Sequence, residues 1–351
     1  MEEQRIALIV GGGIATEITP LVLEILDRAG ARFDWQRVYV PAGSEDAEQL
    51  LENAVDAVKK CGIGLKTKLL SPKRQKRVTG ASVSGSGSPN VQLRLQLGLY
   101  AGVRPIKTMK GLPTRYPDLD LILIRENTED IYKGIEHELV PGVVQSAKVV
   151  TREACERIAR YAFRIAREHG REHVTFIHKG NIMKKSDGLF MQTVRGVAAE
   201  NSDVGYREMI VDAACMHMVL DPYQFDVILT GNLYGDILSS LGSGLAGGIS
   251  SAHSINLGDD YRVFEAIHGD AEHLVGTGKA NPLPLLSPAV ALVRHFDEDE
   301  IASRIEAAVS SVLEKGEHVT PDLGGNASSR QMTNAIIEAL EGDELERAPA
   351  N

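Results

Sequence analysis

Apolar residues along this chain fall into two rhythms. Short, largely apolar runs at 5–10, 121–124, 174–177 and 227–230 read as strands. Stretches with apolar positions three and four apart read as helices, over 17–26, 45–60, 151–169, 186–200, 287–296, 301–315 and 331–340. The 151–169 pattern is the strongest: Thr151 is a plausible cap and Glu153 stands in the first turn. Small residues across 241–248 predict a close helix contact. The polar, Ser- and Gly-rich stretch 71–89 reads as a loop. The acidic tail 341–351 is expected to fray. Strands alternating with helices, with no internal repeat, predict an α/β protein.

Composition narrows the partners. At 351 residues the chain has room for two domains with full cores. A formal net charge of -10 argues against nucleic acid, because phosphate binding needs a basic face. The short basic cluster Lys73, Arg74, Lys76, Arg77 reads as a solvated loop. Cys61, Cys155 and Cys215 have no metal-like spacing and cannot all pair, which fits a reducing compartment. No apolar run is long enough to span a membrane, and the first residues lead into a strand and not a signal peptide. The expectation is a cytoplasmic protein that binds no membrane.

Three arginines change the picture. Arg94 lies in a helical stretch, Arg104 precedes Pro105 on an extended segment, and Arg125 ends the run 121–124. A lone Arg at a strand end is ordinarily a surface ion pair worth little. Converging from separate elements, three such planar forks suit a substrate with two or three carboxylates. Lys179, Asp212 and Asp236 each follow a predicted strand, where open α/β sheets bind ligands. Two aspartates with the oxygens of a hydroxy acid suit Mg²⁺ or Mn²⁺, though any one strand-end Asp also serves as a helix cap. The turn Gly11-Gly12-Gly13 between a strand and a helix is a partial dinucleotide fingerprint, with Thr16 where a third glycine would stand. A tight βα turn explains it equally well.

The phrases Ser-x-Asn-x-x-x-Arg at 88–94, Tyr-Ala-x-Val-Arg-Pro at 100–105 and Ile-Arg-Glu-Asn-Thr-Glu at 124–129 resemble the isocitrate and isopropylmalate dehydrogenase family. So do His-Lys-Gly-Asn at 178–181, Asn-Leu-Tyr-Gly-Asp at 232–236, Glu-Ala-Ile-His-Gly at 265–269 and Ala-Asn-Pro at 280–282. The resemblance spans nearly the whole chain and implies a two-domain α/β fold with a discontinuous large domain. Residues 1–99 and 248–351 would form the cofactor-binding domain. Residues 100–247 would form a smaller dimerisation domain, with an arm reaching between subunits at about 132–151.

The resemblance also implies roles. Arg94, Arg104 and Arg125 would hold carboxylates, with Asn181 beside the substrate. Ser88 and Asn90 match positions that read the substituent distinguishing substrates, and Ser-x-Asn there is similar to isocitrate enzymes. Tyr132 would protonate the enol left by decarboxylation, and Lys179 would take the hydroxyl proton. A nearby metal and cationic neighbours favour the neutral amine such a step needs. Asp212 and Asp236 would be metal ligands, with Lys179 and Asp212 supplied by the neighbouring subunit. Cofactor contacts fall on Ile14, His268, Gly269, His273, Leu274 and Asn281. His273 and Leu274 stand where NADP-using relatives place Lys and Tyr, so NAD is favoured over NADP.

Four departures stand out. Gly12 replaces an Asp of the family's glycine turn; Ser240 replaces its second strand-end Asp; Asp270 replaces a small hydroxyl residue; and the loop before Ser88 is long. The expected activity is oxidative decarboxylation of isocitrate, or a close 2-hydroxy tricarboxylate, to 2-oxoglutarate and CO₂ with NAD reduction. Two alternatives stand beside it. One is a regulatory or catalytically weak subunit of a hetero-oligomer with a paralogous chain. The other is a dehydrogenase for another hydroxy acid, such as a malate, tartrate or phosphonate analogue.

Overall fold

A computed structural model describes residues 4–41, 44, 46–69, 88–269 and 271–347, with side chains through 342. Asp270 and most of the predicted loop at 71–89, including its basic cluster, lie outside the described residues.

The chain opens with β1 (Gln4–Val10), α1 (Ala15–Arg28), β2 (Phe33–Tyr39), α2 (Ala47–Cys61) and β3 (Ile63–Lys66). Next come α3 (Pro89–Gln96), β4 (Ala101–Lys107) and β5 (Asp120–Glu126), then a ribbon of β6 (Glu136–Val140) and β7 (Val143–Ser146). The middle of the chain continues as α4 (Arg152–Glu168), β8 (His173–His178), α5 (Ser186–Glu200), β9 (Gly205–Ile210) and α6 (Val211–Leu220). Then follow β10 (Val227–Thr230), α7 (Asn232–Leu245), β11 (His253–Leu257) and β12 (Arg262–Ala266). Helices α8 (Leu283–His295), α9 (Asp299–Lys315) and α10 (Ser329–Arg347) close it.

Ten strands form one sheet, in the order β2-β1-β3-β12-β11-β4-β5-β10-β8-β9. Both ends are parallel, whereas β12, β11, β4 and β5 pair antiparallel in the middle. The α/β expectation is upheld. The apolar runs of β1, β5 and β10 are buried along almost their whole length, as strands covered on both faces must be. One core packs α1, α8, α9 and α10 against the β1 end of the sheet, while another packs α4 and α5 against β5, β8 and β10.

Register places the chemistry. Thr230 of β10 is opposite both Arg125 and Ile177, and His178 is opposite Ile210, so these strands end together. Thr151 caps α4 through its hydroxyl, which accepts the Ala154 N–H at 3.2 Å. The close contact predicted at 241–248 is Gly242, where a Cβ would lie 2.4 Å from Ile106 Cδ1. The expected fraying from 341 is corrected in part: α10 runs on to Arg347, across Gly342 and through a Glu- and Leu-containing segment. All nine residues of the β6–β7 ribbon are exposed.

Candidate active site

Arg125 ends β5 beneath α7. Its Nε and Nη2 donate to Asn232 Oδ1 at 2.8 and 2.6 Å, and its Nη1 pairs with Asp236. Gly235 makes the seat: a Cβ there would lie 2.6 Å from Arg125 Cγ. Arg104 projects from β4, donates to Ser239 Oγ at 2.8 Å and stands 3.8 Å from the same Asp236 carboxylate. Arg94, in the last turn of α3, donates to Glu265 at 3.0 Å. The three do converge. Burial and the neighbouring Arg125 and Arg94 push the Arg104 guanidinium down to about 10. The Nε atoms of Arg94 and Arg104 are buried with no hydrogen-bond partner among the described residues. Buried donors in that condition are a place for anions.

Sequence reasoning missed Lys66 and Glu265. They stand side by side in register at the ends of β3 and β12, 2.8 Å apart. Lys66 Nζ also donates to Asn90 Oδ1 at 2.7 Å, and Glu265 accepts from Asn256 Nδ2 at 2.6 Å. Asn90 further clasps the backbone of Leu69 and donates to Ser88 Oγ. Burial works to raise the Glu265 carboxyl, and Lys66 and Arg94 outweigh it, holding it well below the carboxylate range. Burial lowers the Lys66 ammonium against the pull of Glu265. The available signal was a charge inside each apolar strand run, which must pair when buried.

Tyr132 sits on a short turn, Ile131–Lys133, and its Oη donates to Asp236 Oδ2 at 3.0 Å. The Arg125 guanidinium lies over its ring, 5.0 Å from the centroid. Burial and Asp236 raise the Tyr132 phenol, against Arg125. Burial would raise Asp236, but Arg125 and Arg104 overcome this and hold it low. Ser240 lies one turn along α7 and donates to the Asp236 backbone carbonyl at 3.0 Å.

Lys179 and Asp212 form a separate pair, joined by an ammonium–carboxylate hydrogen bond that holds Asp212 low. The Asp212 side chain is 69% exposed, and Asn181 is exposed as well. Among the described residues no three acidic, His or Cys side chains gather as a metal site. The described hydrogen bonds therefore do not join Asp212 to Asp236 within one chain.

At the other end, Ile14 is buried at the N-terminus of α1. Gly11 donates to Thr67 Oγ1 at 2.7 Å, and a Cβ on it would lie 2.2 Å from the Lys68 carbonyl, so close approach explains this glycine. Asn281 donates to Ser250 and Asp322 at 2.9 and 2.8 Å and accepts the Leu283 N–H. His268 is buried beside Gly269, His273 is exposed and Leu274 is half-buried.

The sequence pattern of the isocitrate/isopropylmalate dehydrogenase family matches residues 5–340. The chain belongs to that family. The expectation of a nicotinamide-dependent hydroxy-acid dehydrogenase is upheld at this level. Among relatives, the mitochondrial alpha chain of isocitrate dehydrogenase [NAD] from Homo sapiens is 43% identical over 340 residues, covering 96% of this chain and 90% of that one. A mitochondrial regulatory subunit of isocitrate dehydrogenase [NAD] from Dictyostelium discoideum is 40% identical, covering 96% and 92%. The crystal structure of isocitrate dehydrogenase from Methylococcus capsulatus matches with a TM-score of 0.86 at 38% identity, covering 96% of this chain and 99% of that one. The cytoplasmic expectation is corrected, because both curated relatives are mitochondrial by name. The three free thiols pointed only to a reducing environment, and the cytoplasm is not the sole one. No helix among the described residues is long and apolar enough to cross a membrane.

Proposed function

We propose that the chain oxidises and decarboxylates isocitrate, or a close 2-hydroxy tricarboxylate, to 2-oxoglutarate and CO₂ with reduction of NAD. The observation that carries this reading is the convergence of Arg104 and Arg125 on the Asp236–Tyr132 pair, with Arg94 near Arg104 on Glu265 and two buried guanidinium donors unclaimed. The arginines bind and orient the carboxylates. Lys179 takes the hydroxyl proton, and Tyr132 returns a proton to the enol carbon. Arg125, stacked on Tyr132, fixes the ring.

The donors fit a hard cation, since carboxylate oxygens suit Mg²⁺ or Mn²⁺. Asp236, with Asp212 of a neighbouring copy, would hold it. A bound ion would polarise the hydroxyl and then the keto oxygen of the substrate. NAD would accept the hydride, held near Ile14, His268, Gly269, His273, Leu274 and Asn281. The lone His273 offers less positive charge to a 2′-phosphate than a Lys-Tyr pair would.

The exposed ribbon supports assembly with a second copy as part of this reading. An isolated two-stranded ribbon is marginal in water, yet Leu139, Val140, Val143 and Val144 of the ribbon are exposed. Residues 1–99 with 248–351, and 100–247, are the proposed domains.

Reduction of NAD and of NADP by the purified chain, with isocitrate and Mn²⁺ or Mg²⁺, tests the proposal. Turnover with NAD is expected; a chain that binds isocitrate without turnover would favour the regulatory-subunit reading. Ser240 is the observation behind that second reading, because it removes a carboxylate one turn from Asp236. Ser240→Asp should lower the Mn²⁺ concentration giving half-maximal activity by roughly tenfold, since affinity follows ligand charge count. A metal titration checks this.

A further inference from the structure

Between the carboxyl ends of β5, β8 and β10 lies a pocket lined in part by Asp130, Lys148, His178, Asp187 and Tyr234. Lys148 follows the exposed ribbon, and its side chain is 13% exposed. Its Nζ donates to Asp187 Oδ1 at 2.6 Å, stands 4.0 Å from Asp130 Oδ2, and lies 4.8 Å above the Tyr234 ring. Both carboxylates are buried.

Each carboxylate grips a backbone segment bearing a proposed catalytic side chain. Asp187 Oδ2 accepts the Lys179 N–H at 2.7 Å. Asp130 Oδ1 accepts the Ile131 N–H at 2.8 Å, one residue before Tyr132. Asp130 Oδ2 accepts the Leu233 N–H at 3.1 Å, in the first turn of the helix that carries Asp236. Asp130 itself has a φ of 74°, a conformation a non-glycine residue keeps only when its surroundings hold it. Buried carboxylates persist when paired and hydrogen-bonded, and Lys148 is the cation beside both.

We propose that Lys148 is a positioning residue: with Asp130 and Asp187 it fixes the turn of Tyr132 and the turn of Lys179 relative to each other. This rests on the dehydrogenase reading for the roles of those two side chains. It ties both turns to the foot of the ribbon, so seating the ribbon on a second copy steadies them together.

Lys148→Met keeps the stem and removes the charge. Its kcat on isocitrate should fall about 10²-fold, the scale of a 1 Å misplacement, with KM little changed. Backbone hydrogen exchange should quicken at 130–133 and 179–183 and nowhere else in the sheet. Lys148→Arg should recover most of the kcat. Wild-type kcat in Lys148→Met, or exchange quickened throughout the fold, overturns the proposal. Should Lys148→Met not fold, Asp187→Asn should quicken exchange at 179–183, and unchanged exchange there would overturn the proposal. If the wild-type chain does not turn over isocitrate, the dehydrogenase reading fails. Exchange at the two turns then still decides the role of Lys148.

Discussion

Mixing two inactive variants should restore activity. Tyr132→Phe and Lys179→Met should each lose about 10² to 10⁴ in kcat on isocitrate, the range set by removing a positioned acid or base. Unfolded together and refolded, they should recover about a quarter of wild-type turnover. Random pairing makes half of the dimers hybrid. In a hybrid with shared sites, one site collects both defects and the other collects none. The geometry motivates this. Tyr132 bonds Asp236, whereas Lys179 bonds Asp212. Among the described residues no hydrogen bond joins the two pairs. Asp212 is largely exposed, and beside this second pair Ile182, Met183 and Met216 present apolar surface. No recovery in the hybrid, with dimers shown by sedimentation, would mean that each site lies within one chain. Full catalysis by Tyr132→Phe alone would show that the acid is misassigned.

Local features of the fold were readable from the sequence. The period of α4, its Thr151 cap and the runs of β5, β8 and β10 are set by near neighbours. Helix α5 spans the residues its periodicity marks, 186–200. Long-range pairing was not readable. Nothing local says that β11 and β4 run antiparallel through the centre of a sheet that is parallel at both ends. The weakly patterned strands β2 and β12 were missed for the same reason: pairing with β1, and with β3 and β11, and not their own alternation, makes them strands.

The site divides similarly. Arg94, Arg104 and Arg125 were visible because cations in apolar or extended contexts demand explanation, and a family phrase surrounded each. Lys66 and Glu265 were not singled out, although they lie inside equally apolar runs. Their meaning depends on β3 and β12 being adjacent, a fact of topology. Lys148 was invisible likewise, since its partners Asp130 and Asp187 lie far along the chain, on a turn before Tyr132 and in the first turn of α5.

Glu265→Gln should destabilise the fold by about 3–5 kcal/mol, measured by urea unfolding at neutral pH. The carboxylate accepts from Lys66, Arg94 and Asn256 at 2.8, 3.0 and 2.6 Å. Side chains of Lys66 and Glu265 are 1% and 5% exposed, so water cannot replace what the substitution removes. The amide keeps the volume and one acceptor, but it leaves the Lys66 charge buried beside Arg94 without its counter-ion. Adding Lys66→Met should recover part of the loss, because a missing pair is tolerated better than half a pair. The acid limb supplies an independent check. Glu265 has its folded-state value depressed below the ordinary 4.5, so its contribution is complete above that pH. Below it the unfolded chain takes up the proton first, and stability drains away as pH falls toward the folded value. Glu265→Gln should therefore lose stability less steeply than wild type below about pH 4.5. A variant within 1 kcal/mol of wild type, with an unchanged acid slope, would mean that the network does not hold Arg94 as drawn. In that case the substrate itself would have to order this arginine. KM for isocitrate would then carry the ordering penalty that Glu265 otherwise absorbs during folding.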